Sequence, residues 1–498
     1  MSKFLVLRYD NRYMNARFSI RKPATLLSAV ILLFGLLLLL VLAWAIQNQP
    51  DTAYQIIAFS AILLTLTLIF FDPLLAFLVW LFFIPFAPFF HFDIHMPEGI
   101  PDLSYTRMVG SFLAVYLFAQ VASGKRKLLT PTFFDLAIPF FVIPLLWSAV
   151  RGYYGWLWGV QTVFDAFLMP LLVYFIARQL ILKPADFRAL AKAIIEITVV
   201  IAIAAVVEQT TGFAPFRGTS TATIYSGDIR KVGSFLGNPA YVALALAVAA
   251  PLAMMLAIEK THLKDKLRYV LALIILETGV IATFNRSGIA GGLIGPLVFS
   301  ILNRRLLKVT LPVLLIFGLI VGLGWGMIQD TSVAGRLGSE SPIDYRLNAL
   351  EYGLQIHRTA PYLGVGWAWF GRLAADMGFR DNGINVLPSP HNSYLNFLVS
   401  GGYALLGGYL AMAAGLGLTL VTIGWPRRKK RRFFPLFVQA ALASYFAYFI
   451  PIAAFDNTFS AYANIIFFAI MGGAISATLG GGSFTDAEAP APVQTDAS

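Results

Sequence analysis

Long apolar runs, each broken by a short polar or charged stretch, repeat along most of the chain. A helix that crosses a bilayer needs about 20 mostly apolar residues. Runs on that scale occur near 24–46, 52–71, 73–90, 105–123, 133–150, 158–177 and 194–212. They recur near 234–258, 269–284, 287–302, 309–328, 392–424, 433–455 and 461–479, predicting fourteen spans. The short pair 269–284 and 287–302 and the long 392–424 fit the ideal length least well. The first run is too long for a cleaved leader and reads as a retained helix. Most connections are short, but 213–233 and 329–391 are not. Loops beyond about 12–15 residues are usually functional or disordered, and the longer one is rich in aromatics, with Tyr345, Tyr352, Tyr362, Trp367, Trp369 and Phe370. Within it, residues 345–358 place Leu347, Leu350 and Leu354 at helical spacing beside charged Arg346 and Glu351. A small folded cap is expected there. The tail 481–498, without Lys or Arg, reads as disordered.

Composition removes whole classes of function. Of the 498 residues, 58% are apolar and 12% charged, against about 45–50% and 25% in soluble domains. With a mean hydropathy of +0.74, a water-soluble enzyme is excluded. The absence of cysteine excludes thiol catalysis, iron–sulfur clusters and thiolate zinc sites. A net charge of +12 suggests nucleic acid in a soluble protein, so the placement of the basic residues decides its meaning. The N-terminus, Lys125–Lys127, Arg178–Lys192, Lys260–Arg268, Arg304–Lys308 and Arg427–Arg432 hold 26 of the 37 Lys and Arg residues. These segments fall on alternate connections, which puts both termini in the cytoplasm by the positive-inside rule. Arg427–Arg432, lying between two predicted helices, reads as a cytoplasmic anchor; no nucleic-acid partner is expected.

Three connections on the opposite side share one arrangement. Residues 228–239 lead into the helix near 234–258 with Arg230, candidate caps Ser234 and Asn238, and Pro239 in a first-turn position. Residues 283–288 lead into 287–302 with Arg286, and 389–395 lead into 392–424 with His391. All three helices then run from outside to inside, so their free N–H groups and positive dipole ends meet at the outer surface. Backbone amides beside guanidinium groups make an anion site, for which paired phosphates are a natural ligand.

The segments Arg230-x-x-Gly-x-Phe…Asn238-Pro, Asn285-Arg-Ser-Gly288, Pro361-Tyr-Leu-Gly-Val-Gly366 and His391-Asn-x-x-Leu395 resemble the O-antigen ligase and polymerase superfamily. The resemblance covers roughly 200–480 and is strongest over 340–410. It implies an all-α polytopic membrane protein of about 12–14 transmembrane helices, both termini cytoplasmic, with one large, partly helical periplasmic loop. The expected organisation is a basic cytoplasmic segment 1–23, N-terminal transmembrane helices 24–212, a ligase- or polymerase-like core 213–480 containing the loop 329–391, and the tail 481–498. The resemblance also implies a bacterial inner-membrane enzyme whose active site faces the periplasm. Its donor would be an undecaprenyl-diphosphate-linked glycan, and its acceptor a glycan or lipid A-core. A polymerase for O-antigen or exopolysaccharide shares that chemistry and is the alternative to a ligase.

The resemblance implies inverting transfer without a metal or other cofactor, and the residue chemistry agrees with it. Arg230 and Arg286 would bind the diphosphate and offset its leaving charge, and His391 would take the acceptor's proton. The positive end of a helix disfavours the imidazolium form and so helps a base. Arg346, Asn392 and Tyr394 are further candidates for substrate contact. Metal chemistry has two weaker sources, the alternating His91, Asp93 and His95, and the carboxylates Asp228, Asp330, Glu340 and Asp344. Asp165, Glu196, Glu208 and Glu277 fall within predicted spans. Carboxylates there suggest ion or proton movement, so a transporter or flippase of lipid-linked glycans is the rival class.

Overall fold

The apolar runs fold as helices, and short polar residues set where they begin. Asp72, Ser104, Thr132, Asn238, Asn285 and Asn392 each precede a helix and accept a hydrogen bond from one or more of its first-turn N–H groups. The structure is a computed structural model and describes residues 50–90, 102–127, 129–214, 225–226, 229–230, 232–308, 341–379, 387–425 and 434–480. The predicted runs near 24–46 and 309–328, the basic N-terminus, Arg427–Arg432 and the tail lie outside these residues. In chain order the helices are α1 (Pro50–Phe71), α2 (Pro73–Phe83), α3 (Tyr105–Ala122), α4 (Phe133–Val150), α5 (Trp156–Leu180) and α6 (Pro184–Thr211). They continue with α7 (Pro239–Glu259), α8 (Leu263–Ala282), α9 (Arg286–Leu302), α10 (Ser341–Thr359) and α11 (Trp369–Asp376). The last three are α12 (Ser393–Gly424), α13 (Leu436–Phe455) and α14 (Ala461–Gly480). A two-residue antiparallel ladder, Tyr225–Ser226 with Ile229–Arg230, interrupts the all-helical pattern. The chain divides after Ser60 into two units; only Pro50–Ser60 of the first is described, and the elements from α2 onward belong to the second.

Among the described residues, seven helices are long and apolar enough to cross a membrane: α4, α5, α6, α7, α12, α13 and α14. The shorter α9 is apolar as well. Every residue of α7 from Val242 to Ala257 is buried, which makes it the axis against which α6, α8, α9 and α13 pack. By contrast α4 exposes Leu136, Phe140, Ile143 and Trp147, and α8 exposes Leu267, Leu271 and Ile274. Apolar stripes of this extent suit contact with lipid.

The basic connections gather at one end of the bundle, where carboxylates and carbonyls tie them down. Buried Arg178 donates to Asp135 and to the Thr130 carbonyl (2.9 Å), Arg188 pairs with Glu259 (2.7 Å), and Arg126 donates to the Gln179 carbonyl (2.7 Å). Glu196, expected within a span, lies part-way along α6, half-exposed and paired with Arg268 at 3.0 Å.

At the opposite end α12 departs from the single long helix that its apolar run predicts. Gly402 has φ +63° and ψ −158°, and the helix breaks there. In an unbroken helix Tyr394 and Tyr409 would stand about 22 Å apart along the axis, at ~1.5 Å per residue. Their rings lie 5.6 Å apart, so the first nine residues fold back over the rest. Such a break strands backbone groups in an apolar setting, where each unmade hydrogen bond is costly. Residues 361–366 supply the missing partners. Tyr403 and Ala404 donate to the carbonyls of Pro361 (2.8 Å) and Tyr362 (3.1 Å), while Val365 and Gly366 donate to those of Val399 and Ser400, both at 3.0 Å. Gly364, at φ +63°, lies so close that a Cβ there would collide with the Ser400–Gly401 backbone. The Pro361–Gly366 motif is thus a plug for a broken helix.

The expected cap is present. Tyr345, Ala349, Tyr352 and Ile356 of α10 pack with Phe370 and Ala374 of α11, Phe379, and Leu395 and Val399 of α12. The helical period was correct, but Leu347, Leu350 and Leu354 are exposed and the neighbouring stripe turns inward.

Substituting Gly364 with Ala combines left-handed strain of ~1–2 kcal/mol with overpacking of ~1–3 kcal/mol. The melting temperature of purified Gly364→Ala in detergent should fall by several degrees. Gly407→Ala, where nothing lies within 4 Å of an added Cβ, should melt at or above the wild-type temperature. Equal melting of all three would refute the plug.

Candidate functional site

The connection between α13 and α14 carries Asp456, which is buried yet reaches two helix starts. Its Oδ2 accepts from Asn285 Nδ2 at 2.9 Å and has Ser287 Oγ at 3.5 Å. Its Oδ1 accepts from the Asn457 N–H at 2.9 Å and faces His391 Nδ1 at 3.7 Å. Its backbone carbonyl accepts from Ser393 Oγ at 3.0 Å, so one residue joins the N-termini of α9 and α12. The Oδ1 of Asn285 caps α9 by accepting from the Gly288 N–H (2.7 Å) and from Ser287 Oγ (2.7 Å). Burial pushes the Asp456 carboxyl up, but the facing imidazole, the Asn285 amide and the Asn457 N–H outweigh it and hold the group below its ordinary value.

Two π-turns flank this node, Phe164–Leu168 in α5 and Tyr448–Ile452 in α13. Such turns open the helical ladder and often mark functional positions. Both give up a carbonyl here: Ala166 accepts from Asn464 Nδ2 at 2.7 Å, and Phe449 accepts from the Tyr394 hydroxyl at 2.6 Å. Asn464 also donates to the Thr458 carbonyl at 2.7 Å, and Thr458 donates its N–H to Ser393 Oγ at 2.9 Å. The whole Asp456–Thr458 turn is therefore fixed from both sides.

His391 is half-exposed and held in a left-handed conformation at φ +44°, which costs a non-glycine residue ~1–2 kcal/mol. Asn457 Nδ2 donates to Ser389 Oγ at 2.9 Å and steadies the segment that carries it. Arg286, the first residue of α9, lies near enough to Arg346 of α10 for the two charges to repel. Tyr241, in the first turn of α7, is near enough to feel the Asp456 charge, and Gly288 of α9 touches Ala243 of α7. The three helix starts expected to converge thus lie together. Arg230 pairs through its backbone with Tyr225, and its side chain is outside the described residues. Asn392 uses Oδ1 to cap α12 at 3.0 Å, and the Tyr394 hydroxyl is committed to Phe449.

Of the carboxylates placed within spans, Asp165 accepts a two-pronged bond from Arg107 (2.8 and 2.6 Å). Buried Glu208 accepts from the Ser234 N–H at 2.7 Å and anchors the turn that opens α7. Glu277 packs against Gly292 of α9 with Oε1 buried and without a hydrogen bond. No group of three metal-ligating side chains occurs among the described residues. His91, Asp93, His95, Asp228, Asp330 and Glu340 lie outside them, and Asp344 is exposed on α10.

Residues 270–410 match the O-antigen ligase family. The O-antigen ligase match takes in the start of α9, the cap, the plug and His391, and it names the superfamily that the sequence resembles. Asp456 lies beyond its end. None of the curated proteins matches the chain.

Asp456, Asn285 and Ser393 were not among the expected site residues. The available signal for Asp456 was a polar Asp-Asn-Thr run between two predicted spans, on the same side as the three helix starts.

A depressed carboxyl binds its proton more readily in the unfolded chain, near the ordinary pKa of about 3.9. Its contribution to stability is complete above that value and is lost as pH falls through the lower folded value. Asp456→Asn should therefore melt lower than wild type at pH 7, and the gap should close in melts taken below about pH 4. A constant gap across that range would show that the carboxylate charge is not what holds the turn.

Proposed function

We propose that the protein is a ligase-type glycosyltransferase that moves a glycan from undecaprenyl diphosphate to an acceptor sugar hydroxyl. The reaction inverts the anomeric carbon and uses no metal. In this reading the basic end of the bundle faces the cytoplasm of a bacterial inner membrane, and the site opens to the periplasm. The observation that carries it is the His391–Asp456 pair beside Arg286 and Arg346, at two helix N-termini, within a segment that matches the O-antigen ligase family.

Asp456 faces Nδ1, so Nδ1 carries a proton toward the carboxylate and Nε2 is left to accept one. The acceptor hydroxyl attacks the anomeric carbon and gives its proton to His391 Nε2. A new carbon–oxygen bond forms on one face while the bond to the diphosphate breaks on the other. The departing diphosphate carries the electron pair and its negative charge to Arg286, Arg346 and Arg230, aided by the N–H groups of α9. Guanidinium groups suit this task because they can grip two phosphate oxygens at once. Asp165 and Glu208 are tied to structural partners, and Glu196 is paired with Arg268. That leaves Glu277, whose Oε1 is buried without a hydrogen bond, and one carboxylate does not make a path through the membrane, which favours transfer over transport.

In a purified system with a defined undecaprenyl-diphosphate glycan and candidate acceptors, His391→Ala should lower transfer by about 10²–10⁴-fold. Arg286→Ala should be comparably impaired, and Arg286→Lys should remain poor. Asp456→Asn should retain partial activity, because the imidazole keeps its place ahead of α12 but loses the carboxylate that orients it. A single addition to lipid A-core identifies a ligase, and a ladder of products a polymerase. Full transfer by His391→Ala would overturn the assignment.

A further inference from the structure

His391 follows an unusual stretch, Pro388-Ser389-Pro390. Proline has no N–H, so Ser389 holds the one backbone donor in those three residues. That donor goes to a side chain of the cap. The Tyr345 hydroxyl accepts from the Ser389 N–H at 3.0 Å and donates to the Ser389 carbonyl at 3.0 Å, closing both polar groups of one peptide residue. The same tyrosine sets its ring edge-on to the His391 imidazole, with centroids 5.6 Å apart and planes at 64°. Tyr345 is itself fixed by Phe379, whose ring centroid lies 5.0 Å away and which also stacks on Tyr352.

The backbone of His391 is strained at φ +44°. A strained residue persists only where its surroundings over-determine it. Asn457 supplies one restraint through Ser389 Oγ, from the α13–α14 connection. Asp456 faces the ring at 3.7 Å, and Tyr345 supplies three more restraints, two on the backbone and one on the ring. We propose that Tyr345 is a positioning residue: its hydroxyl locks the Ser389 peptide and its ring limits imidazole rotation, holding Nε2 toward the acceptor hydroxyl. The inference rests on the transferase reading, in which His391 is the base. It assigns to the cap a role in catalysis apart from any role in choosing the acceptor.

Tyr345→Phe keeps the ring and removes both hydrogen bonds, so the cap core stays filled. With the full-length protein in detergent or nanodiscs, and the same undecaprenyl-diphosphate donor and acceptor, kcat should fall by about 10–100-fold, the scale of an ångström of misplacement. KM for both substrates should stay at the wild-type value. On a His391→Ala background, Tyr345→Phe should cause no further loss of the residual rate, because a residue acting through an absent base has nothing left to act on. A raised KM, or a further loss on that background, would overturn the proposal by showing that Tyr345 serves the substrate or the fold. An unchanged kcat in Tyr345→Phe would overturn it while the transferase reading stands. A wild-type protein that transfers nothing to any acceptor would remove the transferase reading and this inference together.

Discussion

The arrangement of the site depends on one buried carboxylate. Asp456 gathers the capping amide of α9, the first serine of α12 and the imidazole of His391 around a single turn. Burying a charge is expensive unless it is fully satisfied, and here the satisfaction comes from groups that are themselves parts of the site. The cost of burial is what makes the geometry specific. Moving α9 away would strand the charge and moving α12 away would strand the Asp456 carbonyl, so the three elements stay in register. Among the described residues, the hydrogen bonds to this carboxylate come from an amide and a backbone N–H, neither of them a guanidinium. An incoming anion at Arg286 and Arg346 therefore has no Asp456–arginine pair to break.

The folded-back start of α12 serves the same end. A helix that ran straight would carry its N-terminus, and His391 with it, away from the other two helix starts. Breaking the helix at Gly402 returns that N-terminus to Asp456, but it exposes backbone groups in an apolar setting. Such breaks are tolerated where other protein groups restore the hydrogen bonds. Here the restoration comes from Pro361–Gly366, the strand of chain that leaves α10. The cap is therefore fastened to the broken helix by backbone bonds and to the His391 segment by Tyr345.

Much of this was legible in the sequence, for definite physical reasons. Helix starts announce themselves locally, through a capping residue before an apolar run, so Asn285-Arg286 and His391-Asn392 were placed correctly. The alternation of basic connections then put those starts on one side. Asp456 left no such local mark, since its partners lie 171 residues away at Asn285 and 63 away at Ser393. The break in α12 was hidden because the apolar run continues through it. Gly401-Gly402 was the visible hint, yet glycine pairs also occur in unbroken membrane helices. In α10 the period was readable while the inward face was not, because two adjacent stripes, one of leucines and one of tyrosines and small residues, share the same spacing. Which stripe turns inward is decided by Phe370, Phe379 and Leu395, which belong to other segments.

Charge orders both ends of the bundle. At the basic end, Arg178, Arg188 and Arg268 are each matched by a carboxylate on a neighbouring element. Such pairs fasten helices together and leave little field for a ligand. At the other end two guanidinium groups, Arg286 and Arg346, stand close enough to repel, on elements that Asp456 and the cap core fix independently. Like charges brought together by a scaffold are unfavourable in the empty protein and become favourable once a multivalent anion lies between them. In the proposed transfer, a departing diphosphate would gain charge and that preference would strengthen, which is the condition for lowering a barrier rather than only binding a substrate. In the proposed transfer, holding the two arginines near each other would serve the step where the bond to phosphate breaks.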